Sequence, residues 1–156
     1  MRIASKDKKR VGRPLLGLDQ RGQALAETGI VIVLLLLLVM GVIEFGRAFM
    51  VSNMIVHAAR DGARTAAVVS SSDRDSDGII NTSKKNSIIG TVRDSIAAAV
   101  GTSTAAGLII AVNQTTGPPA TVQLEVNGDI PFILHWAGFT NYTINRAVTF
   151  RDEGRP

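Results

Sequence analysis

The sequence predicts an α+β chain: a long N-terminal transmembrane α-helix, a short second helix and a small antiparallel sheet. Three observations carry that expectation. Residues 28–43 form an uncharged apolar run, and no proline interrupts the chain from Glu27 to Val69. Residues 83–100 repeat apolar side chains at helical spacing, and residues 108–150 hold three β-like runs separated by glycine, proline and asparagine.

The first helix is read from charge and hydropathy together. The chain has 156 residues, 17 of them basic and 13 acidic. Residues 1–22 hold Arg2, Lys6, Lys8, Lys9, Arg10, Arg13 and Arg21 against Asp7 and Asp19, while the remainder is close to neutral. The basic character therefore belongs to a leader and not to a folded surface, which argues against a nucleic-acid binder. Cysteine is absent, excluding disulfide frameworks, thiol catalysis and cysteine-ligated zinc.

The run TGIVIVLLLLLVMGVI is bounded by Glu27 and Glu44, and Gln23–Ala26 extends it to residues 23–43. A bilayer core needs roughly 20 helical residues, so one span fits. The basic leader places the N-terminus in the cytoplasm and everything after the span outside. A cleaved secretory signal would need small residues just after the apolar core, where this chain has Glu44 and Phe45. Four regions follow: a basic cytoplasmic leader (1–22), the span (23–43), an extracytoplasmic continuation of the helix (44–69) and an extracytoplasmic α+β head (70–156).

Glu27 stands at the front of the span, where a carboxylate is costly and marks function unless it snorkels to the interface. Its setting is Arg21-Gly22-Gln23-Ala24-Leu25-Ala26-Glu27. This resembles the processing site of type IV prepilins, which implies cleavage between Gly22 and Gln23 and makes Glu27 the fifth mature residue. Gln23 departs from the phenylalanine or methionine that classical pilins carry there. Residues 41–68, GVIEFGRAFMVSNMIVHAARDGARTAAV, resemble the TadE-like family of tight-adherence pilus assembly proteins. The first block holds Glu44, Phe45, Gly46, Arg47 and Phe49; the second holds Ala58, Ala59, Arg60, Asp61, Gly62, Ala63 and Arg64.

The resemblance implies a pilin-like fold and a structural role as a pseudopilin or minor pilin in the cytoplasmic membrane. Its implied partners are the membrane, a prepilin peptidase, other pilins and the pilus assembly platform, with no nucleic acid and no small-molecule substrate. The alternative is a permanently anchored extracytoplasmic binding module, such as a calcium-dependent adhesin.

A continuous helix over Ala24–Val68 would be about 68 Å long. Its outer half shows an apolar seam of Phe45, Phe49, Ser52, Val56, Ala59, Ala63 and Ala66, with Glu44–Arg47 and Asp61–Arg64 spaced to pair. The small residues Ala58, Ala59, Gly62, Ala63, Ala66 and Ala67 suit close packing against the head and against neighbouring helices, and a helix longer than its own domain can cover should do both. In the head, a helix is expected over Ser83–Val100, stopped by Gly101, with Ile88, Ile89, Val92, Ile96, Ala99 and Val100 on its apolar face.

Strands are expected at Leu108–Asn113, Thr121–Asn127 and Tyr142–Phe150. A loop at Gly117-Pro118-Pro119, a turn at Asn127-Gly128-Asp129 and an irregular crossover at Ile130–Phe139 connect them.

Asp73, Asp75 and Asp77 alternate ahead of Gly78, as at the start of a calcium loop, yet the twelfth position is Lys84 instead of a bidentate glutamate. The segment reads either as a weak Ca²⁺ site or as a solvated acidic turn, and no cofactor is required. His57 and His135 lie in different elements, and no G-x-S-x-G, H-E-x-x-H, P-loop or G-x-G-x-x-G motif is present. Nothing in the sequence points to an enzyme.

Overall fold

A computed structural model of the chain describes residues 19–133, 138 and 140–154. In chain order the elements are α1 (Asp19–Ala67), α2 (Thr82–Val100), α3 (Thr102–Gly107), β1 (Ile109–Thr115), β2 (Thr121–Pro131) and β3 (Asn141–Arg151). A 3-10 turn at Ser71–Asp73 precedes α2. The α+β class and the antiparallel sheet are those the sequence predicts. The chain divides into two compact units, Met1–Gly41 and Val42–Pro156.

In the first unit, α1 presents its apolar side chains outward all round: Leu34 is 60% exposed and Leu38 63%. Such surface is unfavourable in water by about 25 cal/mol per Å², so it requires an apolar surrounding. The helix is long and apolar enough to cross a membrane once, which fits a single-pass membrane protein.

In the second unit, the sheet has the order β1-β2-β3, both pairs antiparallel. Strict alternation in β2 buries Val122, Leu124, Val126 and Ile130, because successive side chains of a strand point to opposite faces. Register sets Val112 and Val148 on either side of Leu124. Over this face pack Val51, Ile55, Ala59, Ala63 and Ala66 of α1 and Ile88, Val92 and Ile96 of α2, forming one core. Gly101 ends α2 at φ 86°, its amide bonding to the Ala97 carbonyl at 2.9 Å. That left-handed value is the reason glycine stops the helix there.

Three local expectations are corrected. The seam of α1 is rotated near its start: Phe45 and Phe49 are 75% and 64% exposed, while Val51 and Ile55 are fully buried. Only its distal part, Ala59, Ala63 and Ala66, faces the core as expected. The segment Asn127-Gly128-Asp129 is not a turn, since β2 continues through it to Pro131 and Gly128 pairs with Ile144. Glycine serves there because Leu108 lies against the strand, and a Cβ at Gly128 would come within 2.7 Å of the Leu108 Cδ2. Helix α3, six residues without apolar periodicity, left no sequence signal. Of the expected crossover, Ile130 and Pro131 belong to β2, whereas residues 134–137 and 139, His135 among them, lie outside the described residues.

Candidate functional site

Helix α1 carries three sets of predicted site residues. At its start, Gly22, Gln23 and Glu27 are all exposed. The Gln23 Nε2 donates to the Glu27 Oε1 at 2.9 Å, and the Thr28 hydroxyl donates to the Ala24 carbonyl at 2.8 Å. A Cβ at Gly22 would meet nothing within 4 Å, so packing places no demand for glycine there. Helix propensity favours almost any other residue by up to about 1 kcal/mol. A glycine that the fold does not need is a candidate for recognition by a partner.

The first block, Glu44–Phe49, has two opposed faces. Glu44 is buried, and its Oε1 accepts from the backbone amide of Ile133 at 3.1 Å and from Arg47 Nε and Nη2 at 3.4 and 3.3 Å. Arg47 Nη2 also donates to the Pro131 carbonyl. Together the two side chains satisfy the backbone of the β2 exit, where the ladder has just ended and its polar groups need partners. The Oε2 of Glu44 is enclosed without a hydrogen-bond partner, as is the hydroxyl of Tyr142.

The Tyr142 ring packs against that of Phe132, tilted by 46°, with ring centres 5.3 Å apart. Burial pushes its hydroxyl above the usual range; the positive charge of Arg47 opposes that shift and the negative charge of Glu44 adds to it. Phe45 and Phe49, on the other side of the helix, are exposed, and a Cβ at Gly46 would meet nothing.

The second block buries its small residues and exposes its charges. Ala58, Ala59, Gly62 and Ala63 are buried, whereas Arg60, Asp61 and Arg64 are exposed. Gly62 is the point of closest approach: a Cβ there would overlap the Val92 side chain of α2 and lie 2.7 Å from Leu124 Cδ1 of β2. Of the two packings open to the small-residue stripe, the one against this chain's own head is thus realised. Glu44 and Arg47 pair as their spacing predicts. Asp61 and Arg64 form no ion pair with one another, because exposed pairs gain too little to hold two long side chains together.

The acidic turn is organised from within. Asp75 Oδ1 accepts from the amides of Asp77 at 3.0 Å and Ile79 at 2.8 Å, and Gly78 takes φ 76°. Asp73 pairs with Lys84 at 3.1 Å. Among the described residues, no three His, Asp or Glu side chains gather as a metal site would require.

Beside this turn lies a buried cluster that sequence reasoning missed. Arg74 Nη1 and Nη2 donate to the two carboxylate oxygens of Asp152 at 2.9 and 2.7 Å, and Gln114 Nε2 adds a bond to the same carboxylate at 2.8 Å. Arg74 Nε also reaches the Val69 carbonyl at 3.0 Å. Burial alone would raise the Asp152 pKa, but the bonds from Arg74 and Gln114 outweigh it and hold the carboxyl below its ordinary value. The only advance signal was an arginine set among aspartates, which by itself reads as a solvated loop.

The chain matches no curated protein and no solved structure. Residues 22–64, from the exposed Gly22 to the last arginine of the second block, match the family model of TadE-like protein, the family that the two blocks predict.

Proposed function

We propose that the chain is a structural component of a tight-adherence-type pilus, a pseudopilin or minor pilin made as a single-pass membrane precursor and trimmed by a prepilin peptidase. The carrying observation is the family match over residues 22–64, which begins at the glycine where the cut is expected. Gly22 and Glu27 are exposed, and packing does not explain the glycine.

The basic leader has two successive effects in this reading. While attached, it keeps the N-terminus cytoplasmic, because moving its seven basic groups across a bilayer is prohibitive. Removed, it frees an α-amino group on Gln23, just over one helical turn from Glu27. That carboxylate then neutralises the chain's own amine or a neighbour's as the helix enters an apolar bundle, offsetting the cost of burying either charge alone. Other pilins and the assembly platform are the partners, and the head is carried outside the cytoplasmic membrane.

N-terminal sequencing of the protein from cells with working pili tests this reading. A chain beginning at Gln23 is the expected result. An intact leader in piliated cells would overturn it in favour of a permanently anchored binding module.

A further inference from the structure

The block Glu44–Phe49 directs its polar side chains to the head and its aromatic side chains away from it. Glu44 and Arg47 are turned to the backbone of Pro131 and Ile133, which leaves the opposite side of the helix free of charge. Val42, Phe45 and Phe49, spaced by three and four residues, form the opposite stripe and are 64%, 75% and 64% exposed. Ile133, fastened by its amide to Glu44, is 63% exposed.

Depth along the helix decides what covers these side chains. The apolar run ends at Ile43, and Phe45 and Phe49 follow it by two and six residues. At about 1.5 Å per residue these lie ~3 and ~9 Å beyond the end of the run. The headgroup zone of each leaflet is about 5–8 Å deep, and aromatic rings concentrate in it. Glu44 is the first residue past the run, so its bond to the Ile133 amide holds that residue at the same level.

We infer that Val42, Phe45 and Ile133 form a second membrane contact, in which the exit of β2 rests in the outer-leaflet interface and Phe49 lies just past its outer edge. The occupant of this apolar face is lipid, because the face continues the apolar run without a break and coincides with the interfacial layer. Glu44 is a positioning residue: it sets the depth of Ile133 through one backbone bond. The inference rests on the reading of residues 23–43 as a membrane span.

The cysteine-free sequence permits single spin labels at Leu36→Cys, Phe45→Cys, Ile133→Cys and Asn113→Cys in the full chain, reconstituted in phosphatidylcholine–phosphatidylglycerol vesicles. Collision rates with oxygen and with a water-soluble nickel chelate report depth. Labels at 36, 45 and 133 should favour oxygen, and the label at 113, on exposed β1, should favour nickel. Adding Glu44→Ala should move the label at 133 toward the nickel-accessible side and leave that at 36 unchanged.

A nickel-accessible 133 with a lipid-exposed 36 overturns this inference alone, whereas a nickel-accessible 36 overturns the span as well. Protection of 45 and 133 from both reagents would show a neighbouring protein in place of lipid and would also overturn it. A label at 133 that stays in lipid when Glu44 is removed overturns the positioning role.

Discussion

The carboxylate of Glu44 accepts a hydrogen bond from the amide of Ile133 at 3.1 Å, joining positions 89 residues apart. One oxygen of a helix residue thus holds the chain two residues past the end of β2, and Arg47 reinforces it at the Pro131 carbonyl. The glutamate and arginine of the first block therefore have a structural task in this chain: they tie the membrane-proximal turn of α1 to the β2 exit.

Glu44→Ala should destabilise the protein by about 1–3 kcal/mol, the cost of leaving a partly buried amide and a guanidinium without their acceptor. Glu44→Gln keeps an acceptor oxygen and should cost less. Chemical denaturation of the full chain in detergent, followed by circular dichroism, measures both. Equal losses for the two variants would refute the hydrogen-bond account.

Glycines within α1 should respond oppositely to substitution. Gly62→Val places methyl groups where the buried side chains of Val92 and Leu124 already pack, so both must shift to admit it. A loss of about 1–3 kcal/mol or more is expected. Gly46→Ala meets open space and should gain up to about 1 kcal/mol from helix propensity. Midpoints of thermal unfolding for the pair give the comparison.

Asp152 and Arg74 form a buried bidentate pair, so removing one partner strands the other charge. Asp152→Ala should cost about 3–5 kcal/mol. The pH dependence follows from the direction of the shift. The folded carboxyl has a pKa below its unfolded value of 3.8, so its contribution is complete above that pH and is lost as pH falls through the folded pKa. Wild-type stability should fall steeply below about pH 4, and Asp152→Asn should flatten that fall. Unfolding midpoints measured from pH 2 to pH 7 test the sign.

Asp75→Ala removes the acceptor of two turn amides and should lower the melting temperature with or without calcium. A calcium ion bound by Asp73, Asp75 and Asp77 would add a separate rise in wild-type melting temperature at millimolar calcium, one that the variant loses. The calcium titration with an EDTA control resolves the two contributions.

Gly22→Leu should leave a full-length membrane-bound precursor that fails to support piliation. Glu27→Ala should still be cut but should assemble poorly, since the freed amine then enters the bundle without a carboxylate. Mass spectrometry of the N-terminus, combined with shear-fraction assays for pili, distinguishes the two defects. Normal piliation by uncut Gly22→Leu would remove leader cleavage from the account.

Much of this protein was legible in the residue order, because it follows from local periodicity. An unbroken apolar run specifies α1 and its capacity to cross a bilayer. Apolar spacing predicts α2 to within one residue, at Thr82 against Ser83. Alternation at Val122, Leu124 and Val126 specifies both the middle strand and its buried face. The blocks at Glu44–Phe49 and Ala58–Arg64 point to the family, since they are contiguous and their spacing is fixed by one helix.

Tertiary structure decided what depends on neighbours distant in sequence. Helical spacing marks both the stripe through Phe45 and Phe49 and the stripe through Val51 and Ile55 as apolar. Only the placement of the sheet selects the latter for the core. Asn127-Gly128-Asp129 carries the same turn signal whether the chain reverses or continues, and its pairing with Asn145, Ile144 and Thr143 of β3 makes it a strand. Arg74 and Asp152, 78 residues apart, are each ordinary surface residues by composition. They became a buried pair because the end of β3 returns to the C-terminal turn of α1, where a buried carboxylate without a partner would be costly.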